Sequence, residues 1–288
     1  MLIINVVLPV FAVIALGYVL ARSKQLDIAT MSEIAVNVTS PCLVYTSIAS
    51  RSIAASDWLV MGGAAVAIVL GSGALMCLYQ RATGLKSRGL FLPAMFMNSG
   101  NMALPFSLLA FGAPGFDKAI IFFIAIAILN YSVGIFIAKG ENGLREIFRL
   151  PLIYAAILGI ASSVTGIKLP EFLMTSVGML ADVAIPLMLL SLGVQLRWLK
   201  VSDVHDAIAG VGIRMGGGFL IAVAFVMIFG VATATRKIIF LDSLMPPAVT
   251  NVVIAQKYSA DPDIVASAIV IGTLLSIVVT PIYLIFAT

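Results

Sequence analysis

Charge is what this chain has least of. Only 10% of its 288 residues are Asp, Glu, Lys or Arg, against 61% hydrophobic, and the mean hydropathy is +1.15. A soluble domain carries about 25% charge, so the composition excludes one and points to an integral membrane protein. Histidine is nearly absent too: His205 stands alone between Asp203 and Asp206 in a polar loop, without the partners a zinc site needs. The two cysteines, Cys42 and Cys77, fall in apolar runs and read as small buried hydrophobes rather than a disulfide. Scattered acids, one loop His and two isolated Cys cannot assemble a catalytic or metal-ligating constellation. No enzyme, metal or cofactor is therefore expected, beyond a coupling proton or sodium ion. No basic residue precedes the first apolar run, so the charged start of a signal peptide is missing. The pI of about 9.1 comes from basic residues dispersed among loops, which excludes a nucleic-acid footprint. Period-2 alternation is absent as well, which leaves helices rather than a barrel to satisfy the backbone in lipid.

What is there is a series of apolar runs near the ~20 residues that a spanning helix needs. Ten can be read: 2–20, 28–49, 58–79, 90–111, 118–138, 150–165, 171–196, 206–231, 237–258 and 263–286. The fold class expected is an all-α integral membrane protein of ten transmembrane helices. Ten spans put both termini on one side. Loops on that side hold Arg51, Lys118, Lys168, Arg236 and Lys237. Loops on the other hold Arg22, Lys24, Arg81, Lys86, Arg88, Lys139, Arg145, Arg149, Arg197, Lys200 and Lys257. Basic residues are retained inside, so the richer side is cytoplasmic. The expected location is the cell (inner) membrane, multi-pass, with both termini outside.

Five spans plus five imply two repeats of opposite membrane topology: 1–139, a short cytoplasmic linker at 140–149, and 150–288. Traces of internal similarity support this. Pro41 in segment two and Pro186 in segment seven each follow a polar residue four positions earlier, Asn37 and Asp182. At an offset of 146, "GAPGFDKAI" falls on "YSADPDIVA", and "NSGNMALP" falls on "LMPPAVTN". Segments four and nine are thus expected to be interrupted at the same place, by Gly100 and Pro105 in one and by Pro246 and Pro247 in the other. A helix-interior proline costs about 3 kcal/mol or more, and the freed backbone cannot face lipid. Paired interruptions in corresponding segments point to a transporter binding site. The half-helices that restart there aim N–H groups and a positive dipole end at the midplane, a field that suits an anion. Asn98, Ser99, Asn101, Thr250 and Asn251 would add neutral hydrogen bonds.

Charges inside spans need a partner or a purpose. Asp182 could carry a coupling proton or cation, with Asn37 as its counterpart in the first half, or form an ion pair with Arg214. Arg214 could instead meet a substrate carboxylate, and its run "GIRMGGG" also reads as a site of close helix packing. Asp242, five residues from Lys237, is expected near the interface.

The stretch "MPPAVTNVVIAQKYSADPDIVASAIVIGTLLSIVVTPIYLI" resembles the auxin efflux carrier family, which includes plant auxin transporters and carriers of malate- or malonate-like anions. "NSGNMALP" resembles its first crossover motif and "MLLSLGVQL" its seventh helix. The resemblance implies inverted repeats, helices four and nine crossing at broken centres, a scaffold part and a transport part, and an elevator-like alternation of access. It implies that Asn98 contacts a substrate carboxylate. The central loop "KGENGLREIFR" is short, so the long cytoplasmic region of the plant members, and phosphorylation control with it, is not expected. The partners expected are a small organic anion, mono- or dicarboxylate, and the lipid bilayer; the oligomeric state is open, a homodimer included. A sodium-coupled symporter of related architecture and a membrane sensor that binds without flux remain alternatives.

Overall fold

The computed structural model describes residues 2–50, 54–140 and 144–287, and these are helical almost throughout, with no strand among them. Arg51 and residues 141–143 of the linker lie outside the described residues. In chain order the elements begin with α1 Leu2–Ser23, then α2 Ile28–Ile34 running through a π-helical turn, Ala35–Thr39, into α3 Ser40–Ala49. Asp27 caps α2. The Thr30 hydroxyl and the Ala29 amide donate to its carboxylate and hold it below the usual carboxylate range. Next come α4 Ala55–Thr83, the short α5 Phe91–Met95, a π-helical turn Ser99–Ala103, and α6 Leu104–Leu129. A further π-helical turn, Asn130–Gly134, leads into α7 Ile135–Lys139. The second half runs α8 Leu144–Ile147, α9 Pro151–Thr165, α10 Glu171–Trp198, α11 Val204–Val211, a π-helical turn Gly212–Gly217, and α12 Gly218–Phe229. It ends with α13 Thr233–Ser243, α14 Thr250–Lys257 and α15 Pro262–Ala287.

Each of the ten apolar segments is helical over most of its length. Six stretches are long and apolar enough to cross a membrane among the described residues. One of them, Ser99–Lys139, has 41 residues, about twice what a bilayer core accommodates. It is divided at Gly112, whose φ of 65° and ψ of −164° are closed to residues with a Cβ. The loop expected over "GAPGFDK" is thus a one-residue kink, with Pro114 in the first turn of the helix that resumes, a position proline tolerates.

Packing sorts the helices into two groups, each drawing on both halves of the chain. In one, α1 lies along α10, α3 along α9, and α10 against α3. In the other, α4 packs on α6 and α12, α11 on α15, α13 on α6, and α14 on α15. The first group is held by backbone approach. A Cβ on Gly193 would lie 1.9 Å from the Ile14 carbonyl oxygen, and one on Gly17 2.3 Å from that of Leu190. Small residues permit such approach where lipid supplies no hydrophobic drive between helices.

Gly193→Ala is expected to wedge α1 off α10 and to destabilise the protein by about 1–3 kcal/mol, read as a lower melting temperature in detergent. An unchanged melt would mean that the two backbones do not meet there.

Candidate functional site

The site begins where two helices stop inside the protein. α5 ends at Met95, and Phe96 continues it in extended backbone, φ −108° and ψ 114°. α13 ends at Ser243, and the consecutive Pro246 and Pro247 prevent its continuation. The two linkers cross and pair as an isolated antiparallel bridge, Met97 opposite Pro247. The Asn98 amide donates to the Pro246 carbonyl at 2.8 Å, and the Ala248 amide donates to the Phe96 carbonyl at 3.0 Å. The pairing joins positions 150 apart rather than the 146 read from the sequence, because strand register, not residue similarity, sets which atoms meet. Gly272 on α15 makes room for the prolines, since a Cβ there would lie 2.5 Å from Pro247 Cδ.

The C-terminal carbonyls of α5, which a terminating helix leaves unpaired, are met by side chains from elsewhere. Asn251 Nδ2 donates to the Leu92 and Phe96 carbonyls at 3.2 and 3.0 Å. Arg214 Nη1 donates to the Met95 carbonyl at 2.7 Å. All of these groups are buried.

Beside the crossing lies a cavity of about 100 Å³, well above the ~10–15 Å³ that one water requires. Its polar lining comes from Asn98, Ser99, Asn101, Asn130, Tyr131 and Thr250, with the Gly100 backbone between them. Asn98 caps the π-helical turn leading into α6, accepting from the Asn101 amide at 3.1 Å. Its Nδ2, buried, has no protein partner. Thr250 opens α14. The N-terminal ends of α6 and α14 therefore both meet the cavity, and no charged side chain is among its lining residues. Opposite stand Ala35, Val36, Ser40, Leu152 and Met188 from the α1–α10 group; the Ser40 hydroxyl is engaged by the Ala35 carbonyl at 2.6 Å. A second cavity of about 210 Å³ shares Asn101, Tyr131 and Thr250 with the first and continues it toward Gln195, Glu146 and Lys257.

The residues singled out in the sequence separate into three places. Asn98, Ser99, Gly100, Asn101 and Thr250 line the cavity. Pro246, Pro247 and Asn251 build the crossing behind it. Pro105 sits in the first turn of α6, where proline fits, so the break upstream is not its doing. Asn37 is exposed in the turn between α2 and α3. Asp182, also exposed, lines a separate cleft of about 460 Å³ with Thr46, Ser47 and Ser50. The expected Asp182–Arg214 pairing does not form. Arg214 is fully buried, away from the cavity lining, and Asp242 is likewise buried inside the protein. Asn130 is a residue that sequence reading missed. It is buried beside the cavity, and its Nδ2 donates to Thr250 Oγ1 at 3.2 Å and to Asn251 Oδ1 at 3.4 Å. A lone amide inside the apolar fifth segment was the available signal.

The profile of the membrane transport protein family matches residues 2–147 and 141–284. An uncharacterized transporter of Methanothermobacter thermautotrophicus is 30% identical over 96% of both chains, and one of Methanocaldococcus jannaschii is 26% identical over 96% of both. Auxin efflux carrier component 2 of Arabidopsis thaliana is 25% identical over 48% of this chain and 23% of its own.

Asn251→Ala removes the second donor from each of the Leu92 and Phe96 carbonyls, which keep the Phe96 and Ala248 amides. The expected loss is about 1–3 kcal/mol of stability, measured by denaturation in detergent; a variant as stable as the parent would remove Asn251 from the crossing.

Proposed function

The chain belongs to the membrane transport protein family of the auxin efflux carriers, and from that premise we propose that it is a secondary transporter of a small organic anion, a mono- or dicarboxylate. One observation carries this reading. Two half-helices start at one cavity, their N–H groups and positive dipole ends favour an anion there, and the buried Asn98 Nδ2 beside them has no protein partner. A carboxylate would accept from it.

The same reading takes the ten segments as ten spans in two inverted five-helix repeats, with both termini outside the cell membrane. The reciprocal hydrogen bonds at the crossing of segments four and nine support it. The cavity lies between the two packing groups, which supports alternating access by displacement of one against the other. The groups that would hold the anion belong to the α4–α7 and α11–α15 body. The α1–α3 and α9–α10 body offers an almost wholly apolar wall, which can slide past a bound ligand without breaking hydrogen bonds to it. The second cavity, with Glu146 and Lys257 at its far end, lies toward the side assigned as cytoplasmic, so the conformation is read as inward-open. Asp182 lines the cleft between α3, α6 and α10, and its exposure there supports a role in exchanging a coupling proton.

Asn98→Ala is expected to reduce uptake of a labelled carboxylate into proteoliposomes roughly tenfold or more, the equivalent of one charge-assisted hydrogen bond, with the protein still folded and its stability lowered by only the ~1 kcal/mol of the lost cap. Full transport by this variant would remove the site. Asp182→Asn is expected to flatten the pH dependence of that uptake; an unchanged profile would reject its role in coupling. Uptake that needs sodium at every pH would favour the sodium-coupled alternative, and saturable binding without uptake would favour a sensor.

A further inference from the structure

The wall that α10 presents to the two cavities changes along its length. Met188 lines both, and beside the crossing it is the only residue of α10 in the lining. Ser191 and Gln195 follow on the same helix and line the second cavity alone. α10 is helical throughout Glu171–Trp198, so Ser191 stands about 4.5 Å and Gln195 about 10.5 Å along the axis beyond Met188. Residues four apart are neighbours on a helix surface, with ~5–6 Å between their Cβ atoms, so one ligand group can reach both.

Each of the two carries an unused polar atom. Ser191 is 3% exposed, and its Oγ has no hydrogen-bond partner. A helical serine can satisfy itself on the carbonyl four residues back. Ser132, Ser176 and Ser267 do so in this protein, and Ser191 does not. Gln195 is fixed at one end of its amide, where Nε2 donates to Ser32 Oγ of α2 at 3.0 Å. That leaves Oε1, buried and without a partner.

The pair is chemically selective. Oε1 only accepts, whereas the Ser191 hydroxyl donates or accepts. A hydroxyl between them donates to Gln195 and accepts from Ser191, and both atoms are satisfied. A carboxylate there accepts from Ser191 but sets its negative charge against Oε1. A methyl group satisfies neither. The charged residues of this cavity do not reverse the preference: Glu146 is engaged by Arg149 at 3.1 Å, and Lys257 is exposed, where water and salt screen it.

We propose that Ser191 and Gln195 form a specificity subsite for a hydroxyl at the far end of the ligand, so that the preferred ligand is a hydroxylated monocarboxylate. Its carboxylate lies at Asn98 and its hydroxyl between Ser191 and Gln195. The inference rests on the anion reading above and narrows it to one carboxylate and one hydroxyl.

The test measures binding to purified protein in nanodiscs for two series in which only the far group changes: propionate, 3-hydroxypropionate and malonate, and butyrate, 4-hydroxybutyrate and succinate. In the parent, the hydroxylated member of at least one series is expected to bind roughly tenfold tighter than its methyl-ended analogue, as one or two net hydrogen bonds supply. The dicarboxylate is expected to bind no tighter than that analogue. Ser191→Ala and Gln195→Met are each expected to cut the hydroxyl preference below about threefold. Ser191→Ala is also expected to melt no lower than the parent, because its hydroxyl has no bond to lose. The ratio of affinities is what is read, so a partly unfolded variant does not imitate the result. A dicarboxylate preferred by the parent, no hydroxyl preference, or a preference that survives in either variant overturns the subsite while leaving the anion reading in place. If Gln195→Met does not fold, Ser191→Ala decides by the same ratio. A parent that binds none of the six refutes the anion reading itself, and this inference with it.

Discussion

Backbone amides and carbonyls cannot be left bare when buried, and this structure interrupts two helices inside the protein. The rest of its centre answers that constraint. The two broken chains satisfy each other through the Asn98–Pro246 and Ala248–Phe96 hydrogen bonds. The exposed end of α5 is then closed by an amide from α14 and a guanidinium from the turn before α12. Two distant stretches of sequence, one around Arg214 and one from Pro246 to Asn251, thus converge on one short linker. The buried Asn98 Nδ2, left without a partner, belongs to a residue that lines the cavity.

Much of this could be read from the residues. Prolines at 246 and 247 in an apolar run, and amides at 98, 101 and 251 in segments that should have none, are costly in lipid unless they meet inside protein. That cost makes them legible. The helical segments follow from apolar length alone. Other features were not legible, for definite reasons. Gly112 divides segments four and five at a single residue, whereas "GAPGFDK" has the composition of a longer loop. Pro105 looks like a breaker, but its effect depends on whether it falls inside a helix or in its first turn, and that boundary is set upstream by the bridge. Asp242 lies near Lys237 in sequence, but its burial comes largely from α13 packing on α6, which the sequence places far away. Asp182 and Arg214 could be paired only on paper, since they belong to different packing groups.

The division into two groups also cuts across the order of the chain. Each group takes elements from before and after the central linker, so neither half of the sequence makes a body by itself. The close backbone contact of α1 with α10 ties the beginning of the first half to the second half. The crossing ties the two halves again within the other group. Polar side chains that face the cavity come almost wholly from one group, and the facing wall is apolar. That asymmetry separates holding a ligand from enclosing it.

Gly218 has no side chain because the guanidinium of Arg214 occupies the place where one would be. The two positions are therefore not free to drift independently over evolutionary time. A descendant that gained even a methyl group at 218 would have to shorten or withdraw the residue at 214, and would then need another donor for the end of α5. Among related chains, the identities at these two positions should change together or not at all.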